Sequence, residues 1–401
     1  MEKANSVFFK TPNETRTGAT ILRQDQSIDL QIVEGAEGIS KFGDDWDDLF
    51  VRATGAPPYL SRSWIRTFVE EGRLSGAPLF VLAWFGTKLV ALFPLEVRKV
   101  LNIKTAVPIG TEESAYLGLL IDPEHRSAIK DIADFIISRN IFDTYYSADL
   151  SSEDAATNDL LDDLVSRGYS CRKVYREPCL CLQLGCTFDE YLKKKIPKSK
   201  RRYKLRYEEK KLYTSADVRV TRYAGKEITP EVNRRIAAIQ LESWMKRRGV
   251  AYLGEPFYQK LLGNMAEGGL GQVWLMTIDG EDAAFVYSFV AHGQHHYFWP
   301  AFKLKYESSL SIGQILLMHV IRDACEDGIQ LFDFIHGDAE YKRFWATDCY
   351  KLFRVIAGRG FMGHLIVMFC YIFFRLGQIK WLHSSYRWIR IRLHRFKKRM
   401  A

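Results

Sequence analysis

FDFIHGDAEYKRFW, Phe332 to Trp345, is the stretch on which the fold of this chain turns. It opens as a strand with Asp333 set inside an apolar run and breaks at Gly337. It then gathers Asp338, Glu340, Tyr341, Lys342 and Arg343 within six residues. In mixed or parallel sheets, ligands bind beyond the carboxyl ends of strands, where helix starts offer free N–H groups. Ionisable side chains just past a buried strand fit that place. The preceding segment, ESSLSIGQILLMHVIRDACEDG, reads as a helix. Ser308, Ser309 and Ser311 are placed to cap it, and Gly313 lets a ligand approach the backbone closely. Such a helix start suits a pyrophosphate, although a capped helix with one glycine is also common without a ligand.

Working back from there, QVWLMTIDGEDAAFVYSFVAHGQHHYFWPAFK gives three strands, joined at Ile278-Asp279-Gly280 and at His292-Gly293. Before them stand a strand (217–223), one helix over EVNRRIAAIQLESWMKRR and a shorter one over PFYQKLLGNMAEGG. A final strand is expected over 351–358. The first half runs in the same order. DLQIVEG is a strand, DDWDDLFVRA and SRSWIRTFVEEG are helices, and Pro78 to Val100 is a hairpin turning at Phe85-Gly-Thr-Lys88. A helix (125–138), a strand (142–149), a helix (156–167) and a strand pair over YSCRKVYREPCLCLQL complete it. Both halves therefore run strand, helices, antiparallel strands, helix, strand, the order of a duplicated α+β unit with a mixed sheet.

The chain has 401 residues, enough for two ordinary domains, with 47% hydrophobic and 26% charged residues, a globular composition. Residues 1–27 lack periodicity and any apolar stretch of signal-peptide length, which predicts a mobile leader and a cytoplasmic protein. Seven cysteines, an odd set, suit a reducing compartment, and Cys179, Cys181 and Cys186 have no second pair at metal spacing, so they read as small buried hydrophobes. His292, His295 and His296 invite a metal reading too. Strand alternation points His295 and His296 to opposite faces, which favours a turn histidine and two sheet histidines, and no metal site is expected. No Ser-His-Asp order with a nucleophile elbow is present.

The net charge of +9 is unevenly placed. No acid follows Asp348 and twelve Lys or Arg do, so residues 1–348 hold 57 − 12 = 45 bases against 48 acids. A globular body with a cationic end is not the charge pattern of a nucleic-acid binder, and no nucleic-acid partner is expected. YLKKKIPKSKRRYKLRYEEKKL, Tyr191 to Leu212, reads either as a solvated connecting helix or as a cationic wall facing phosphate groups. FMGHLIVMFCYIFF, with fourteen apolar-rich residues, falls short of the ~20 that span a bilayer. The segment after it interleaves bases with Trp381, Tyr386, Trp388 and Phe396. That suits an interfacial helix on an anionic membrane, the alternative being helices packed on the body.

The order YFWPAFK, SIGQILLMHVIRDACEDG, FDFIHGDAEYKRFW resembles the C-terminal half of GNAT-superfamily acyltransferases of the cellulose-biosynthesis CelD type, relatives in fold of the Fem-type aminoacyltransferases. APPYLSRSW and the basic middle segment are similar to that family as well, and the likeness runs from about 29 to 358. The resemblance implies tandem GNAT-like units with mixed, mainly antiparallel sheets flanked by helices. The units would span 28–186 and 217–358, joined by a basic connecting helix over 187–216 and followed by a basic amphipathic tail over 359–401. It implies acyl-CoA, with no metal, in a wedge between splayed strands over 296–302 and 331–336. The pyrophosphate would rest at Ser311, Ile312, Gly313 and Gln314. Gly313 stands alone where the superfamily's phosphate loop has at least two glycines, which leaves the donor open between acyl-CoA and aminoacyl-tRNA.

Acyl transfer to an amine needs a neutral nitrogen, a polarised thioester carbonyl and a proton for the thiolate. Asp338 or His336 is the candidate proton acceptor, Tyr341 the candidate donor, and Lys342 the candidate for the oxyanion or a phosphate. Trp299, Asp333 and Trp345 are the candidate acceptor-binding residues. Each has a structural alternative as a packed, solvated or locally paired side chain. The expected protein is an N-acyltransferase, cytoplasmic or peripheral at the inner membrane, acting on a small-molecule or lipid-linked amino sugar. The rivals are a Fem-like transferase using aminoacyl-tRNA and a non-catalytic accessory protein of polysaccharide synthesis.

Overall fold

A computed structural model describes residues 27–377, apart from 101, 112, 197–198 and 308–310 and the side chains of 199 and 201. Nearly all of the expected leader, the caps at Ser308 and Ser309 and the tail beyond 377 lie outside the described residues. The first unit comprises β1 (Ile28–Glu34), α1 (Glu37–Lys41), α2 (Gly43–Arg52), α3 (Arg62–Glu70), β2 (Ala77–Phe85), β3 (Lys88–Val100), β4 (Ile103–Pro108), β5 (Leu120–Ile121), α4 (Ala128–Ser138), β6 (Thr144–Ser151), α5 (Ala155–Ser166) and β7 (Tyr169–Gln183). Two helices, α6 (Phe188–Lys195) and α7 (Ser199–Ser215), lead to the second unit. This runs β8 (Val218–Ala224), α8 (Pro230–Leu241), α9 (Trp244–Arg247), α10 (Pro256–Glu267), β9 (Gly271–Ile278), β10 (Glu281–Ala291), β11 (Gln294–Phe302), α11 (Ile312–Glu326), β12 (Leu331–His336), α12 (Glu340–Trp345) and β13 (Asp348–Arg359). A last helix, α13 (Gly360–Leu376), follows.

Local chemistry sets most of these boundaries. Ser61 Oγ accepts from the Trp64 amide at 3.3 Å and starts α3, and Thr187 with Glu190 closes a capping box on α6. The hairpin turns fall where the residues permit φ > 0, at Asp279 (51°) with Gly280 (81°) and at His292 (50°) with Gly293 (70°). Three expectations are corrected. The helix read through EVNRRIAAIQLESWMKRR is two, because Ser243 caps a new start through the Met245 amide at 3.1 Å. The basic connecting helix is also two, since Ile196, held out of the helical region (φ −121°, ψ 76°) before Pro197, ends α6. The strand pair over Tyr169 to Gln183 is one long strand, with Pro178 lying just past the last residue of β7 that pairs with β12, Cys179.

The strands form one thirteen-stranded sheet in the order β1-β2-β3-β4-β6-β13-β7-β12-β11-β10-β9-β8, with β5 beside β3. Read inward from either edge, the order is the same: five strands of one unit, then the last strand of the other. The two units thus exchange their final strands across a pseudo-two-fold axis between β13 and β7, which pair from Asp348 with Cys181 to Arg359 with Tyr169. Three cores result. One packs α4 and α5 on the first unit, and another packs α11, α6 and α7 on the second. The third, on the opposite face, joins Trp46, Tyr59, Trp64 and Phe68 to Ile236, Phe257, Leu261 and Phe289 from the second unit. Arg66 and Thr67 bond Asn264 across this core at 2.9 and 2.8 Å.

Candidate active site

The only parallel ladders among the described residues join β4 to β6 and β11 to β12. In the second unit Gln294, His295 and His296 pair with Leu331, Phe332 and Asp333, and the two strands then separate. β11 stays with β10 to Phe302, with a register shift that leaves Phe298 as the extra residue between Tyr297, opposite Ser288, and Trp299, opposite Tyr287. Such a bulge leaves a residue without a ladder partner, here on the strand facing the gap. α11 begins over the gap, and its first turn holds no acid. Ser311 occupies the N-cap position, but its side chain makes no capping bond. Gln314 and Ile315 donate to the Ser311 carbonyl at 2.8 and 2.9 Å, so Ile312 and Gly313 carry the amides that a helix start leaves over. A Cβ on Gly313 would come within 3.2 Å of the Phe302 ring, which explains the lone glycine there.

The far side of β12 carries a second cluster. Asp333 is 1% exposed and accepts from the Ile335 amide at 2.6 Å, from the Tyr116 hydroxyl at 3.2 Å and from the Tyr350 hydroxyl. The two hydroxyls are 2.7 Å apart, and Tyr116 also reaches Cys179 Sγ at 3.3 Å. His296 Nδ1 stands 3.9 Å from Asp333, and both of its ring nitrogens are buried without a hydrogen-bond partner. Burial holds the His296 pKa down, against the pull of the Asp333 charge, so the imidazole is neutral near pH 7. Burial and then the Asp333 charge push Tyr59, Tyr116 and Tyr350 up, which keeps them as donors. Burial likewise raises Cys179 and leaves it a thiol.

This cluster opens into a cavity of about 620 Å³, lined by Tyr116, His296, Asp333 and Tyr350 together with Glu153, Asp154 and Asp348. Cavity and α11 lie on opposite faces of the β11–β12 gap, as His295 and Phe332 show. Their rings stack at 4.4 Å, and Phe332 belongs to the core under α11 while His296 and Asp333 face the other way. Ile335 adopts φ 58°, rare for a β-branched residue, at a break in the pairing of β12 with β7. Asp333 grips this bulge by its amide, and Lys342 Nζ donates to the carbonyls of Phe334 (2.8 Å) and His336.

The structure thus gathers some of the expected residues and scatters others. Lys342 is a half-buried amine tied to backbone, its pKa lowered by burial against the opposing pull of Asp333. Tyr341 stands on the α11 side of the gap, edge-on to Phe334 with ring centroids 6.4 Å apart, and burial pushes its pKa up to about 12. Tyr297, Phe332 and Phe334 pack against one another on that side, with Phe334 edge-on to both of the others. His336 lies 3.4 Å from Glu177 and 4.0 Å from Asp149, within ion-pair range but without hydrogen-bond geometry at Nδ1. Burial alone would raise Glu177, yet the His336 contact brings it below its ordinary value. Asp338 turns to Arg343 at the exposed surface. Trp299 packs against Phe298 and Tyr258. Trp345 is wholly buried, stacks on Tyr191 and donates to Gln314 Oε1 at 2.8 Å, so it has no exposed surface to offer an acceptor. Tyr116 and Tyr350 were not singled out by the sequence, and His296 was read only as a sheet histidine. The one signal for this cluster was an aspartate in the middle of an apolar strand.

The basic segment flanks the same place. Lys195 Nζ donates to the Ala346 carbonyl, next to the Trp345 that holds Gln314, and α7 packs beside α11 through His319 and Arg322 on Glu209.

Residues 199–343 match the family model described as acetyltransferase (GNAT) domain, which makes the second unit an acyltransferase and the chain an enzyme. No curated protein matches the chain. Among solved structures it is similar to FemX, with 12% identity, a TM-score of 0.54, and 78% of this chain and 95% of that one covered. It is also similar to the C-terminal domain of a putative lysylphosphatidylglycerol synthetase from Agrobacterium fabrum, with 12% identity, a TM-score of 0.52, and 82% and 95% covered. These likenesses establish the fold.

Proposed function

We propose that the protein transfers an acyl group from acyl-CoA to an amine held in the cavity between the units. The observation that carries this reading is the separation of β11 from β12 after three paired residues, with a helix start on one face and the Asp333–His296 cluster on the other. A pantetheine arm would enter from the α11 side, its diphosphate against the Ile312 and Gly313 amides and the bases of α6 and α7 around it. The backbone at the Phe298 bulge would offer an amide to polarise the thioester carbonyl. The acceptor, arriving as an ammonium ion, would be drawn in by Glu153, Asp154 and Asp348 and lose its proton toward neutral His296, which Asp333 steadies. As the C–S bond breaks, Tyr341, protonated at neutral pH, would give its proton to the departing thiolate. The second proton shed by the new amide nitrogen makes up for it through solvent, and the one taken by His296 is released. A carboxylate-walled cavity suits a hydroxylated amine, and we take an amino sugar of an exopolysaccharide or envelope precursor as the acceptor class.

The similarity to FemX and to the lysylphosphatidylglycerol synthetase domain supports a second reading, in which the donor is an aminoacyl-tRNA and the basic α6–α7 flank meets its acceptor stem. Calorimetric titration with acetyl-CoA and longer acyl-CoAs separates the two. Saturable heat, together with release of free thiol when glucosamine is added, supports acyl-CoA transfer. A flat trace with retention of aminoacyl-tRNA on a filter supports the rival, and a flat trace with neither overturns both.

A further inference from the structure

α13 is apolar on every side, a pattern that belongs to a helix covered all round. The body covers one stripe only. Gly363 and Val367 are buried, and the helix lies so close to β13 that a Cβ on Gly358 would come within 2.7 Å of the Gly363 carbonyl oxygen. Phe374 takes Arg354 over its ring at 5.4 Å. The other faces present Phe361 (77% exposed), Met362, Leu365, Met368, Phe369 (70%), Ile372 and Phe373 to solvent. No Asp, Glu, Lys or Arg stands between Gly360 and Phe374, and the chain continues past Gly377 with eight Lys or Arg and no acid over 378–401.

We propose that the exposed face of α13 seats the protein on an anionic lipid surface, lying in the plane of the interface. This is independent of the identity of donor and acceptor. At 17 residues the helix is about 25 Å long, too short for the ~20 residues that cross a bilayer, and no helix among the described residues meets that requirement. Apolar side chains buried a few ångströms deep and adjacent bases reinforce each other on anionic lipid. A second copy of the chain suits the face less well, because it would bring two wholly cationic extensions together.

Flotation of the full-length protein with vesicles tests this. Binding to 7:3 phosphatidylcholine:phosphatidylglycerol vesicles is expected, with little on phosphatidylcholine alone and less in 0.5 M NaCl. Phe361→Glu with Phe369→Glu, at exposed positions, should weaken binding at least about tenfold with an unchanged melting curve. Reversal of Arg387, Arg390 and Arg392 to Glu should remove the lipid selectivity. The proposal is overturned by absence of binding to the anionic vesicles, by binding that the double variant leaves intact, or by vesicle-free dimers that Phe369→Glu dissolves.

Discussion

The two units share a topology and differ where it matters for chemistry. In the first, the last parallel pair before β4 and β6 part is Ala106 with Tyr145, both packed in a core. In the second it is His296 with Asp333. In the first unit β4 leaves β3 at Pro108, and the chain returns as β5 against Ala91 and Leu92, whereas β11 stays with β10 to Phe302 without interruption. The helix starts differ as well: α4 carries Asp131 in its first turn and follows the buried Asp122, which Arg52 and Lys88 already neutralise, while α11 has no acid there. Duplication thus supplies two frames, one whose inner strand is interrupted between β4 and β5 and one whose inner strand runs through. The interrupted one is not idle, because the segment before β5 delivers Tyr116 to Asp333, 217 residues away.

Substitutions in both units and a pH series would sharpen or break that contrast. Asp333→Ala should have the largest effect. Thiol release should fall by about a thousandfold, and loss of a buried acceptor shared by three donors should cost about 3 kcal/mol or more, read as a lower denaturation midpoint. Tyr145→Phe, at the matching place in the first unit, should leave the rate unchanged. Tyr341→Phe is expected to lower kcat by about ten- to a hundredfold with KM for the donor held. If the rate does not move, the proton comes from elsewhere.

Gln314→Glu puts into α11 the first-turn acid that α4 has. It should raise the donor KM about tenfold while leaving the melting temperature equal or slightly higher, since an acid stabilises a helix start. A parallel loss of stability would mean that the Trp345 contact, not the charge, was at stake. pH tests the innermost pair. His295 and His296 are buried with folded pKa values below that of the unfolded chain, so the unfolded state takes up protons first and their contribution to stability is lost as pH falls below about 6.5. The acid limb of the rate should also lie below that value and disappear in His296→Asn. A limb at or above 6.5 in the wild type would exclude neutral His296 as the acceptor. The smallest effect is expected on the α6–α7 flank, where Lys193→Gln with Lys194→Gln should weaken donor binding about threefold, and less at high salt.

Sequence carried the hairpins and the helix over Ile312 to Glu326, because turn residues and hydrophobic period act locally, whereas the gap between β11 and β12 was implied by the family resemblance alone. β4 passed unnoticed, as IKTAVP is short and lacks alternation. The strand exchange was illegible for a different reason: β13 has the pattern of any buried strand, and nothing local states which neighbours it will take. The cluster around Asp333 had the same obstacle, since Tyr116, Cys179 and Tyr350 come from three distant segments. Among the expected site residues, Asp338 and Trp345 carried the right chemistry for a site. Their backbone positions nevertheless turned one to the surface and the other into the core.

The exchanged strands bear on how the chain is made. Until residues 348–359 leave the ribosome, β6 and β7 have no partner between them, and a nascent chain of some 340 residues carries two raw edges at what will become its centre. Neither half can finish alone, so co-expressed fragments divided within 187–216 should be recovered only as a pair, and a stalled or truncated product should be a client of chaperones rather than a working half-enzyme.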